Sequence, residues 1–61
     1  MSTAEFLAAR TRCNRELDRL GRLITRAGQR DDDATAASYC ESLIAVHAER
    51  VALDRAQGGA R

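Results

Sequence analysis

The chain has 61 residues, a formal net charge of +1, two cysteines, no proline and no tryptophan. A chain of this length forms at most one small domain, whose core is marginal unless a staple or a second copy adds to it. Two cysteines without a secretory signal do not predict a disulfide framework. No run of 18 apolar residues occurs, so we expect no membrane span and a cytoplasmic location.

The first predicted element is a helix over about residues 3–27. Ser2 followed by Glu5 matches a capping box at its start. Apolar residues then recur at spacings of three and four, which places them on one helical face. They are Phe6, Ala9, Cys13, Leu17, Leu20, Ile24 and Ala27. Gly28 is expected to end the helix as its C′ residue.

A turn over about residues 28–32 leads into a second predicted helix over about residues 33–57. The run Asp31–Asp33 offers an N-cap and carboxylates at the positive end of the helix dipole. The main apolar stripe of this helix is Ala36, Cys40, Leu43, Ile44, His47 and Val51. Tyr39, Val46 and Leu53 form a second row beside it, so the apolar surface is wider than one neighbouring helix needs.

Two helices of equal length and a short turn predict an all-α fold, an antiparallel two-helix hairpin that forms a single domain over residues 1–61. A hairpin cannot cover its own apolar stripes, so we expect a homodimer that forms a four-helix bundle. The predicted dimer core consists of Cys13, Leu17, Leu20, Ile24, Cys40, Leu43, Ile44, His47 and Val51. Arg10 and Asp54 also fall at stripe positions and are expected to pair across the closed hairpin.

Five arginines, here called the arginine row, lie opposite the apolar stripe of the first helix: Arg12, Arg15, Arg19, Arg22 and Arg26. Residues 1–30 carry seven arginines against three acidic residues, a net charge of +4, whereas residues 31–61 carry three against six, a net charge of −3. The row has three interpretations: a solvated helix face with local ion pairs, a docking surface for an acidic protein, or a phosphate-binding surface. Nucleic acid is disfavoured because no aromatic side chain is interleaved with the row.

Cys13 and His47 are predicted to lie opposite each other when the hairpin closes. In a two-fold dimer two such pairs could bind zinc, or one pair could form a Cys–His nucleophile. Neither a CxxC nor an HxxxH spacing occurs. We therefore predict no metal site, no cofactor and no enzymatic activity.

The segment Asp31–Leu43 resembles the corresponding part of the Rop (Rom) family of plasmid copy-number regulators. The matching residues are Asp32, Ala37, Cys40, Glu41, Ser42 and Leu43. The resemblance implies a hairpin that dimerises into a four-helix bundle, with Cys40 and Leu43 in its core. It also implies an RNA-binding alternative, although arginines replace the polar first-helix face of that family and Phe6 is the only phenylalanine.

The favoured prediction is a non-enzymatic protein-binding module that acts as an inhibitor, adaptor or co-chaperone. The Arg-rich first helix, glycine-containing turn and second helix are similar in plan to the small two-helix co-chaperones of type III secretion needle subunits. Tyr39, Val46 and Leu53 would anchor the partner protein, and the arginine row would supply charge complementarity. A structural bundle subunit without a separate ligand is a third possibility.

Overall fold

The computed structural model describes residues 2–58 and contains two helices, α1 (Thr3–Gln29) and α2 (Asp33–Gly58), packed against each other. The predicted all-helical hairpin is confirmed, and both helices end within two residues of the expected positions. Within residues 2–58, neither helix is apolar enough over a sufficient length to cross a membrane.

Both helices begin at a side-chain cap. The Ser2 Oγ accepts a hydrogen bond of 3.2 Å from the backbone N–H of Glu5. At the start of α2, Asp32 Oδ1 accepts a hydrogen bond of 3.2 Å from the backbone N–H of Thr35. Each bond satisfies a backbone donor that the first turn of a helix leaves without an intrahelical partner.

Asp31, rather than Gly28, reverses the chain at the end of α1. The expectation that Gly28 would end the helix is wrong, since α1 continues through it to Gln29 and its φ is not positive. Asp31 takes the left-handed conformation with φ 54°. Its N–H donates to the carbonyl of Gly28, and the N–H of Asp32 donates to that of Ala27 (3.1 and 2.9 Å). This is the Schellman arrangement, which aspartate supports because it tolerates left-handed backbone better than most residues.

The core of the hairpin follows one line of α1. The buried residues are Ala9, Cys13, Leu20 and Ala27, all members of the predicted stripe. Leu20, near the middle of the helix, is only 2% exposed. Phe6, Leu17 and Ile24 flank this line and are half-buried.

The face that α2 turns toward α1 differs from the predicted one. Cys40, Ile44 and His47 are exposed, whereas the residues along the inward line are half-buried. That line consists of Tyr39, Leu43, Val46, Arg50 and Leu53. At 3.6 residues per turn, α2 is rotated by roughly a quarter of a turn from the expected orientation. The larger side chains on the observed line bury more apolar area against α1 than Cys40 and His47 would.

The hairpin is a single layer of helices. It measures 46 × 16 × 11 Å and has a radius of gyration of 14.1 Å, against about 10–11 Å for a compact domain of this length. A single layer has two broad faces and no interior between layers. No residue of α2 is buried, whereas α1 buries four.

Candidate interaction faces

A small groove between the helices shows which sides of α1 and α2 share a face of the hairpin. The groove has a volume of about 270 Å³ and is lined by Arg12 and Glu16 of α1 and by Val46 and Glu49 of α2, among others. Val46 and Glu49 therefore lie on the same broad face as the arginine row. We call this the arginine face.

All five residues of the arginine row are exposed. Of the local ion pairs that a solvated face predicts, Arg19 with Glu16 forms, whereas Arg12 with Glu16 and Arg15 with Asp18 do not. Within residues 2–58 the Arg19–Glu16 pair is the only ion pair. The other four arginines of the row consequently form no ion pair within the described residues.

The Arg19–Glu16 contact is bidentate. Arg19 Nε donates to Glu16 Oε2 at 3.0 Å, and a second guanidinium nitrogen donates to Glu16 Oε1. Hydrogen bonding from Arg19 lowers the pKa of the Glu16 carboxyl. The pKa of Arg19 is raised, mainly by its hydrogen bond to Glu16.

The opposite broad face is apolar. On α1, Leu17 and Ile24 lie on the side of the buried line away from the arginines. On α2, Cys40, Ile44 and His47 lie on the side of the inward line away from Glu49. The apolar face is therefore formed by Leu17, Gly21, Ile24, Cys40, Leu43, Ile44, His47 and Val51. Ile44 is 66% exposed, which is unusual for a residue of its size.

These positions divide the predicted dimer core into two sets. Cys13 and Leu20 are buried inside the hairpin, and the rest lie on the apolar face. Leu17, Ile24, Leu43 and Val51 are half-buried there, whereas Cys40, Ile44 and His47 are exposed. Whether a second copy covers this face stays a prediction.

The proposed anchoring row requires a correction. Tyr39, Val46 and Leu53 are half-buried on the inward side of α2, where Val46 lines the groove with Cys13. Side chains that pack on α1 are not free to anchor another protein. The outward apolar surface is instead the face that carries Ile44.

Gly21 is a feature of the apolar face that the sequence-based prediction missed. It lies in the interior of α1, and a Cβ added there would have no neighbour within 4 Å. A glycine at such a position costs about 1 kcal/mol of helix stability relative to alanine. Nothing inside the hairpin explains it. A glycine in the middle of a 27-residue helix is the feature of the sequence that could have identified this position.

A groove of about 580 Å³ lies over Gly21 and connects the two surfaces of α1. Leu17 and Thr25 line it on the apolar side, and Arg22 and Arg26 line it on the side of the arginine row. A chain that approached the apolar face here would also meet two cations.

The structure does not bring Cys13 and His47 into one environment. Cys13 is buried, whereas His47 is exposed on the apolar face, so the expected register of these two residues is wrong. Val46 takes the place opposite Cys13. Within residues 2–58, no three residues among His, Cys, Asp and Glu cluster as metal ligands would.

Comparison with protein-family models, with curated proteins and with solved structures finds no match for this chain. The two faces of the hairpin are therefore the basis for assigning a function.

Proposed function

We propose that this chain is a non-enzymatic cytoplasmic binding protein. Two copies pair through the apolar face to form an antiparallel four-helix bundle. The arginine row of each copy then docks on an acidic surface of a partner protein, as in an inhibitor, adaptor or co-chaperone. The observation that carries the proposal is the chemical difference between the two broad faces of a single-layer hairpin.

The surface area supports the dimer. The chain exposes 4622 Å², whereas a compact monomer of this mass exposes about 3,900 Å². The excess of about 700 Å² is close to the roughly 800 Å² that each partner buries in a typical stable interface. A second copy of the same face supplies a complementary apolar surface of equal size.

The arginine row supports an acidic protein as the partner. Guanidinium groups bind carboxylates in a bidentate manner, as Arg19 already does with Glu16. Stacking on bases would need exposed aromatic rings, but Phe6 and Tyr39 are both half-buried.

The second candidate is a Rop-like RNA-binding regulator that uses the same arginine row. Four arginines without acidic partners favour it, because phosphate contacts require only spaced cations. The third is a bundle subunit with no separate ligand. The binding measurement described below separates these three functions.

Light scattering on the purified protein tests the dimer. We expect a dimer at micromolar concentration. Ile44→Asp should raise the dimer dissociation constant at least about 100-fold, because it places a charge in an apolar interface. Ala45→Asp is the matched control, since it adds the same charge one residue along, where the side chain points away from the apolar face. A wild-type monomer would refute the dimer.

Fluorescence anisotropy with two labelled probes, poly-L-glutamate and an RNA duplex, tests the partner class. We expect binding to the acidic polypeptide, weakened about tenfold by Arg15→Gln together with Arg22→Gln. Arg55→Gln, a charge loss outside the row, should leave binding unchanged. Preferential RNA binding with a steep salt dependence would establish the second candidate. Binding to neither probe would favour the structural subunit.

A further inference from the structure

We infer that the two hairpins stack with α1 of each copy over α2 of the other and with both turns at the same end. The dimer then carries its two arginine rows on opposite sides and binds two partner molecules. This inference rests on the proposed dimer and specifies how the two copies are arranged.

Two-fold symmetry allows two ways to bring the apolar faces together. With the symmetry axis along the bundle, α1 lies over α2 of the second copy and the turns are at one end. With the axis across the bundle, α1 lies over α1 and α2 over α2, and the turns are at opposite ends. Both arrangements bury the same residues, so burial alone does not choose between them.

The charges of the helices favour the first arrangement. Helix α1 contains six arginines and three acidic residues and has a net charge of +3. Helix α2 contains two arginines and four acidic residues and has a net charge of −2. The first arrangement places a positive helix over a negative one twice. The second places like charge over like charge on both sides of the bundle. The axes of packed helices lie 8–10 Å apart, about one Debye length, so charges on the apolar-face side are not fully screened, whereas the arginine row projects from the far side of α1.

The positions of Arg10 and Asp54 also favour the first arrangement. Both are exposed, both lie at the apolar-face side of their helices, and they do not pair within the hairpin. In the first arrangement Arg10 points at α2 of the second copy, within reach of Asp54. In the second, Asp54 of the second copy lies at the other end of the bundle from Arg10. The Arg10–Asp54 pair predicted within the hairpin is absent; the first arrangement places the two residues together between copies instead.

The arrangement determines what the dimer presents to partners. When α1 lies over α2, the two α1 helices are diagonal in the bundle and their arginine rows face away from each other. Each row is then a separate site, and the dimer can bridge two acidic proteins. When α1 lies over α1, the two rows flank the same edge of the bundle instead of lying on a diagonal.

The distance between the turns decides between the arrangements. A spin label is attached at Arg30→Cys in a chain that also carries Cys13→Ala and Cys40→Ala, and the distance between labels is measured by pulsed electron paramagnetic resonance. We expect less than about 30 Å, because both turns lie at one end. About 40 Å or more, the length of a 27-residue helix, would overturn the inference. A label at Ala45→Cys, near the middle of α2, confirms in both cases that the labelled chain is a dimer.

The salt dependence of the unmodified protein is a second readout that needs no substitution. Attraction between α1 and α2 of different copies predicts that the dimer dissociation constant rises from 50 mM to 500 mM salt. A constant that falls with salt would indicate like-charge stacking and would overturn the arrangement. A monomer at every concentration would refute the proposed dimer itself, which is distinguishable from a dimer whose turns are far apart.

Discussion

Asp31 concentrates the backbone strain of the hairpin in one residue. Its φ of 54° is the only positive φ among the non-glycine residues within residues 2–58. The left-handed conformation costs an L-residue with a Cβ roughly 1–2 kcal/mol, whereas glycine adopts it freely. The strain persists because two hydrogen bonds close the turn around Asp31 and Asp32.

Asp31→Gly should therefore stabilise the protein by roughly 0.5–1 kcal/mol, measured as the free energy of unfolding in urea. The matched control is Asp33→Gly, the same chemical change two residues later. Asp33 lies inside α2, so glycine there should be destabilising. If both variants lose stability, the carboxylate of Asp31 matters more than its backbone conformation.

At the scale of the elements, the cap of α2 predicts that the stability of the hairpin falls in acid. Thr35, through its side chain first and its backbone N–H second, lowers the pKa of the Asp32 carboxyl. Glu16 behaves in the same way, because the hydrogen bond from Arg19 lowers its pKa. A carboxyl group whose pKa is lower in the folded state than in the unfolded state stabilises the fold when it is charged. This stabilisation is fully present above the unfolded-state pKa and is lost as the pH falls through the folded-state pKa.

We expect the melting temperature to be constant from pH 7 to about pH 5 and to fall as the pH drops through the ordinary aspartate pKa of about 3.9. Thermal melts followed by circular dichroism between pH 7 and pH 2.5 measure this. Asp32→Asn keeps a capping oxygen but cannot titrate, so its acid-induced loss should be smaller. An equal loss in the variant would assign the acid sensitivity to other carboxylates.

At the scale of the whole molecule, the contact between the two helices leaves much of the apolar surface of the hairpin exposed. Its buried residues, Ala9, Cys13, Leu20 and Ala27, all belong to α1, while Ile44 and Leu7 remain more than half exposed. A single layer of two helices does not provide the volume of core that independent small domains need. The missing apolar contacts are those that the proposed second copy supplies.

The dimer predicts that thermal stability depends on protein concentration. For a dimer of this size, a tenfold increase in concentration should raise the melting temperature by about 5 °C. Melts at 5 and 50 μM measure this shift, and Ile44→Asp should abolish it. A melting temperature independent of concentration in the wild-type chain would mean that the hairpin is stable alone.

The helices themselves could be predicted from sequence because their signals are local. Ser2 and Asp32 cap the helices through bonds to residues three positions away, and the apolar stripe of α1 follows from spacing alone. The fold class and the buried line of α1 required no knowledge of the rest of the chain. Gly28 was misassigned because Asp31, three residues later, can also adopt the left-handed conformation.

The rotation of α2 could not be predicted in this way. Its apolar residues lie along two adjacent lines, one through Cys40 and His47 and the other through Tyr39 and Val46, and periodicity does not rank them. Only contact with α1 selects between the lines, because the choice depends on how much area each side chain buries against a particular neighbour. That contact placed Tyr39 inside the hairpin and left Ile44 in water, since a helix with two apolar sides can turn only one of them toward a single neighbour.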